Sequence, residues 1–496
     1  MVESFVYILI DIPETNRRHA EYVFTFFMNW WGVRCAITSD PNRCLSPQLV
    51  YSQRVNTLRI SNKIEIPFDG VLYDPQASCE SKTLEALTIW GRSGAVPEKT
   101  DLIASTFRLL TMTDEKQIEK YARDSNGGFL CKDLPSPRRA TVDIPFADNH
   151  AALLFGWLCR VMPSIQGVVI PRWPNNRKFV VCLSHDTDAV HMGHPRELLT
   201  FAAKLLVRGR RVYANMFSIG WRHRHRPSDN PFWGFPDWQK LEMERSTRSC
   251  FYLAVSPQSC RRRLNDCKSD VLLPGIDWGA LRALHERGWE FGLHAALGAR
   301  DHSDELVLEK QAIEDRLGAR IYGIRHHYLA FDNLRPYRTF RKQITAGFIY
   351  DTSVGWRDRA GFRAGTCLPW YPFDPETGRT LTLVELPLCL MDGHVMCLGG
   401  DDAVKECLRI GEYVRQAGGV LMLNWHTETI CNQYLYTGYR EVFCRVLNHY
   451  GSDSEAWFAT PLEVASWWRK RSEEFNQHND VTDAVNYEPG IEKDNE

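Results

Sequence analysis

The sequence reads as an α/β protein whose larger part is built on a parallel, barrel-like sheet. After residue 178, eight short apolar runs rich in β-formers follow one another, several of them separated by helical stretches. Five of those runs end in His, Asp or Arg, which is how a barrel of parallel strands gathers chemistry at one end. With 496 residues, 44% of them apolar, the chain can fill two or three domain cores.

Residues 1–170 are expected to form a first domain, α/β or α+β, with no chemical constellation in it. Phe5–Ile10 and Val71–Tyr73 are strand-like. Tyr22–Val33 is apolar but interrupted by Thr25 and Asn29. It falls well short of the roughly 20 residues that span a bilayer and reads as a buried amphipathic helix. Asn149–Met162 carries Leu153, Leu154, Trp157, Leu158 and Val161 on a helical period, with Pro163 as its stop. The stretch from Pro171 to Lys178 breaks the pattern and marks a boundary. The second domain spans 178–470. Its strand candidates are Phe179–Leu183, Ser249–Val255, Trp289–Leu293, Ile321–Arg325, Gly347–Tyr350, Leu383–Leu388, Gly419–Leu423 and Trp457–Ala459. Between the second and third lies a helix that Asp277 can cap, with Leu281 and Leu284 on one side and Gly288 closing it. Residues 472–496 are polar and mostly acidic and are expected to be disordered.

Lys and Arg total 60 against 61 Asp and Glu, a net charge of −1, so no global field draws nucleic acid or an anionic membrane. No segment is long enough to span a membrane. The start, Met1-Val2-Glu3-Ser4-Phe5, lacks a cationic stretch leading into an apolar one, and the 15 cysteines are scattered without a Cys-x-x-Cys pair. Both point to a reduced, cytoplasmic protein without a cysteine-based zinc module. Two basic clusters, Arg208–Arg211 and Arg222–Arg226, are compatible with an anionic sugar or a lipid phosphate, solvated loops being the simpler reading.

The chemistry begins at Val180-Val181-Cys182-Leu183-Ser184-His185-Asp186-Thr187-Asp188. On a strand Ser184, Asp186 and Asp188 share one face and His185 points the other way. Two carboxylates so placed repel unless a metal ion, an arginine or solvent lies beside them. Further along, Glu290–Leu293 ends in His294, Ile321–Ile324 in Arg325-His326-His327-Tyr328, Phe348–Tyr350 in Asp351, and Leu421–Trp425 in His426.

Leu183–Asp188, Glu290–His294, Gly323–Leu329, Tyr350–Trp356 with Gly361–Thr366, and Leu423–His426 resemble, in order, the five motifs of the polysaccharide deacetylases, the NodB-like carbohydrate esterases, in a variant whose first motif is His-Asp-x-Asp. The resemblance covers about residues 178–470 and implies a distorted (β/α) barrel that removes an N- or O-acetyl group from a carbohydrate with a divalent metal, usually zinc. It makes Asp186 the general base, Asp188 and His294 metal ligands, His426 the general acid, Arg325 the group that keeps Asp186 ionised, and Asp351 a residue orienting Arg325 or His426. Gly298 stands where better-known members place another ligand His, four residues after His294. A catalytic zinc generally takes three protein ligands. Strand alternation puts His327 on the face of Arg325, so His327 is the expected third ligand; His191 and His194 are reserves. Trp356 is expected either to wall the pocket or to sit in the core, and Leu386–Asp392, although similar to a family segment, receives no catalytic role. The alternatives are a metal-dependent amidase on another substrate and a non-catalytic carbohydrate-binding or assembly protein.

Overall fold

In a computed structural model the described residues are 5–43, 47–53, 63–68, 101–113, 115, 130–134, 139, 141–255 and 275–476. The expected strand Val71–Tyr73 and the residues after Asn476 lie outside them.

Among the described residues two parallel sheets organise the chain. The first, in the order β2-β1-β3-β4, consists of β1 (Val6–Asp11), β2 (Cys35–Thr38), β3 (Leu49–Ser52) and β4 (Ile64–Pro67). The helix Glu14–Trp31 packs on it through Ala20, Val23, Phe24, Phe27 and Trp31, a stripe at helical spacing. Gly32, at φ 70°, ends that helix in the left-handed cap that glycine tolerates best. The helix Phe146–Val161 begins earlier than Asn149 and stops before Pro163 as expected.

The second sheet holds nine strands, parallel at every pairing: β5 (Phe179–Asp186), β6 (Ser249–Ala254), β7 (Glu290–Ala295), β8 (Gly323–His326), β9 (Tyr350–Asp351), β12 (Val384–Glu385), β13 (Leu390–Met391), β14 (Val420–Asn424) and β15 (Ala456–Ala459). A small antiparallel pair, β10 (Phe373–Asp374) and β11 (Arg379–Thr380), lies apart. The order β12-β9-β8-β7-β6-β5-β14-β13 does not close on itself, and the outer side of β12 meets only an antiparallel bridge from Glu385 to Trp370, so the sheet is an open, barrel-like half-shell flanked by helices. β5 is buried along its whole length, as a strand covered on both faces must be. It pairs with β14 on one side; on the other it pairs with β15 over Phe179–Cys182 and with β6 over Leu183–Asp186.

Two expected strands shrink to two residues. Gly347, at φ 76°, and the Phe348 N–H bonded to the Gln343 carbonyl are still finishing the helix Pro336–Thr345, so β9 starts only at Tyr350. Pro387 has no N–H to extend β12. The Asp277 side chain does cap the helix Trp278–Glu286, accepting from Ala280 N at 2.9 Å.

The two sheets share no pairing, yet one continuous apolar core runs from Val6 to Trp468. The stretch around the expected boundary is packed: Trp173 is buried and donates to the Gly418 carbonyl, and Arg172 bonds the Trp30 and Ala417 carbonyls. The last helix, Pro461–Asn476, runs past Ser472, where the tail was expected to begin. Ser472 is buried there and donates to Asn29.

Gly323 shows how tightly the inner face is filled. A Cβ there would lie 1.9 Å from the Tyr350 ring, whose hydroxyl is held by Glu290. Gly323→Ala is therefore expected to destabilise the protein by about 2–3 kcal/mol through overpacking. An unchanged urea midpoint would refute this.

Candidate metal centre

Parallel pairing fixes which side chains meet. Ser184, Asp186, Tyr252, His294, Arg325 and Thr352 all project from the inner face at or near the C-terminal strand ends. His185, Ile324, His326 and Asp351 project from the outer face.

Asp188, His294 and His327 converge. Asp188 Oδ1 is 3.0 Å from His294 Nε2 and Oδ2 is 3.5 Å from His327 Nε2, and all three residues offer ligand atoms within 4.8 Å of one another. Ligand atoms about 2.0–2.2 Å from a tetrahedral zinc would lie roughly 3.3 Å apart. Asp188 Oδ1 is buried yet accepts no well-directed hydrogen bond, which suits an atom facing a shared ion better than one facing a donor. His294 Nδ1 lies 3.1 Å from the Arg325 carbonyl, and donating there leaves Nε2 as the lone-pair atom turned toward Asp188. His327 sits just beyond β8. Tyr328 and Leu329 after it adopt φ of 58° and 51°, an uncommon backbone for side chains of that size, and the Tyr328 ring stacks on the imidazole at 4.0 Å. Burial alone would raise the Asp188 pKa; the imidazoles of His327, His294 and His426 outweigh it and hold the carboxyl well below its usual range.

Beside this triad lies a buried ion pair. Arg325 Nη1 donates to Asp186 Oδ1 at 2.8 Å, Ser184 Oγ at 3.0 Å and Asn424 Oδ1 at 2.7 Å. Its Nε donates to Thr352 Oγ1 at 3.0 Å, and the guanidinium lies 4.3 Å above the Tyr252 ring. Asn424 Nδ2 donates to the other Asp186 oxygen at 2.8 Å. Burial opposes ionisation of Asp186, but Arg325, His294 and His426 lower its pKa.

On the far side His426 Nε2 stands 3.7 Å from Asp188 Oδ2. Asp392 grips it twice, accepting from the backbone N–H and from Nδ1, both at 2.9 Å. Burial would lower the His426 pKa, but Asp392, Asp188 and Glu428 hold it well above the ordinary value.

Asp351 requires a correction. The expected contact with Arg325 or His426 is not made, because Asp351 lies in register with Ile324 and so projects from the outer face. It accepts from Ser353 at 2.6 Å and lies against Glu385. Its expected work is divided: Asp392 holds His426, while Ser184, Asn424 and Thr352 accept from Arg325. His191 and His194 are not in the cluster either; one faces the His223 carbonyl and the other caps the helix Pro195–Arg208. His185 points outward as expected, between Glu242 and the Trp425 carbonyl. Trp356 is a core residue, packed with Cys131, Leu134 and Val142.

Asp392 and Glu428 had no role in the sequence analysis. Glu428 is buried, its Oε1 accepts weakly from Tyr436 at 3.4 Å, and its Oε2 has no partner among the described residues. Burial, opposed by His426 and reinforced by Asp188, pushes its carboxyl up to about 8, toward the neutral form.

No family model matches this chain. No curated protein matches it either. Among solved structures it is similar to a protein described as a polysaccharide deacetylase from Mycobacterium smegmatis, at 15% identity and a TM-score of 0.41, covering 64% of this chain and 97% of that one. It is similar at 16% identity and 0.40 to the Puue allantoinase, covering 60% and 93%. A third, described as a polysaccharide deacetylase from Pseudomonas aeruginosa PAO1, gives 15% and 0.40 over 62% and 95%. Likenesses of this grade carry no argument about what this chain does.

Proposed function

We propose that the protein is a divalent-metal-dependent hydrolase, with zinc the best-suited ion, that removes an acetyl group from a carbohydrate, either a polysaccharide or a glycan precursor. The observation that carries this reading is the convergence of Asp188, His294 and His327 between a buried Asp186–Arg325 pair and an Asp392–His426 pair. A bound zinc would polarise an acyl carbonyl and acidify a water. Asp186, kept ionised by Arg325, is placed to accept a proton as general base. His426, kept protonated by Asp392, is placed to donate one to the departing amine or alkoxide. His327 supplies the third ligand that Gly298 does not, which removes the main support for a non-catalytic role.

The test is zinc content of the purified chain followed by acetate release from N- and O-acetylated sugars. About one zinc per chain with acetate released supports the reading. Zinc bound but ammonia or a larger acyl group released would move it to another amide substrate, and no metal uptake would sink it. Asp392→Asn checks the acid: kcat/KM should fall by roughly 10²-fold or more, with the limb of the pH profile on which His426 loses its proton moved to lower pH. An unshifted profile would separate Asp392 from proton transfer.

A further inference from the structure

The chain that leaves Asp188 builds a second surface, apart from the residues of this centre. The helices Pro195–Arg208 and Arg211–His223 form a hairpin that follows Asp188 in the chain and turns at Gly209, φ 62°. Its inner side is apolar and packed: Phe201, Tyr213 and Met216 form a cluster with Ala189, Met192 and Phe232, against which Tyr434, Leu435 and Tyr436 lie. Tyr436 is also the residue that bonds Glu428, so hairpin and metal centre share one end of the sheet.

The outer side combines two features. From Leu198 to Ser228 the sequence contains no Asp or Glu, while Lys204, Arg208, Arg210, Arg211, Arg222, Arg224 and Arg226 all fall there, in a chain whose net charge is −1. Arg210, Arg211 and Arg222 make no ion pair with any described residue; in this segment only Arg226 does, with Asp229 at 3.5 Å. Among these cations stand large apolar side chains turned to solvent: Leu199 at 71% exposure, Leu206 at 86%, Val207 at 84% and Trp221 at 52%. Leu206 and Val207 are the most exposed large apolar side chains among the described residues and directly precede the basic turn. Scattered exposed apolar residues need no explanation, but an adjacent exposed pair directly before the basic turn Arg208–Arg211 does.

We propose that this hairpin docks the protein on an anionic lipid bilayer. The cations match lipid phosphates, and Leu206, Val207, Leu199 and Trp221 enter the boundary between headgroups and acyl chains. Charge alone would equally suit a nucleic acid or an acidic protein; the protruding aliphatic pair is what selects a phase with an apolar layer behind its charge. The whole-chain charge hides this surface because acids elsewhere balance it. The inference stands independently of the hydrolase reading, since none of these residues belongs to the metal centre.

The experiment is co-sedimentation of the full chain with vesicles of phosphatidylcholine alone and with about 30% phosphatidylglycerol. The expected result is binding to the anionic vesicles that weakens as salt rises. Arg210→Glu/Arg211→Glu and Leu206→Glu/Val207→Glu should each lower partitioning by about tenfold or more, with thermal unfolding and zinc content unchanged. Val307→Glu/Leu308→Glu, on an exposed helix elsewhere, should bind as wild type. Absence of binding, equal binding to neutral vesicles, or full binding by either hairpin variant overturns the proposal. Loss with the arginine variant alone, together with capture of a soluble polyanion, would assign the surface to nucleic acid or an acidic protein instead.

Discussion

An Asp188→Ala protein is expected to hold zinc at least ~10²-fold more weakly than wild type, and to lose hydrolysis with it. Changing the groups behind metal ligands already costs roughly 10- to 100-fold in affinity, and removing the one anionic ligand should cost no less. Asp188 is also the carboxylate toward which His294, His327 and His426 all turn, at 3.0, 3.5 and 3.7 Å. Without it the site keeps no anionic ligand, and His294, His327 and His426 lose the carboxylate they share. Competition with a chromophoric chelator measures the change. His294→Ala and His327→Ala should follow Asp188→Ala, whereas His191→Ala and His194→Ala should leave affinity unaltered. Retention of zinc by His327→Ala would send the search for a third ligand elsewhere.

Arg325→Met should be the most destabilising single change in the barrel. The guanidinium is fully buried and serves Asp186, Ser184, Asn424 and Thr352 at once. Breaking one side of a buried pair costs about 3–5 kcal/mol, because the remaining charge is left uncompensated. Burial would then act on Asp186 with less opposition, and its carboxyl would move up toward the neutral form. Arg325→Lys should recover only part of the loss, since an ammonium on a flexible stem reproduces neither the fork of donors nor the stacking on Tyr252. Urea unfolding with an unchanged m-value reads the effect directly. A loss below about 1 kcal/mol would mean that the network is not what holds the strand ends together.

Asp186, Asp188, His294, Arg325 and His426 were legible because each follows an apolar run, and a buried strand ending in a charged residue is a pattern a sequence displays openly. His327 was legible through the parity of a single strand. Asp351 was not, because its face depends on the register between β8 and β9, and a slip of one residue reverses every side chain. A two-residue strand carries too little alternation to fix that register. Asp392 follows β13, which is equally short, and Glu428 lies in a turn, so neither had a periodic signal to mark it. The hairpin's cations were visible in the sequence, but which apolar residues face outward between them depends on how the two helices pack.

The splitting of pairing along β5 bears on the timescale on which the site moves. Over Val180–Ser184 both sides of that strand are occupied, by β14 on one side and by β15 and then β6 on the other, so its amides there have no edge from which to fray; His185 and Asp186 continue along β6. The Val180–Ser184 amides should exchange with deuterium only when the whole molecule unfolds, while β13 at the open margin exchanges through local opening. Asp186 is thus carried on the slowest-exchanging strand of the protein, whereas Asp392 hangs from a margin. Any breathing of the centre would then leave the proton acceptor in place and let the donor side move.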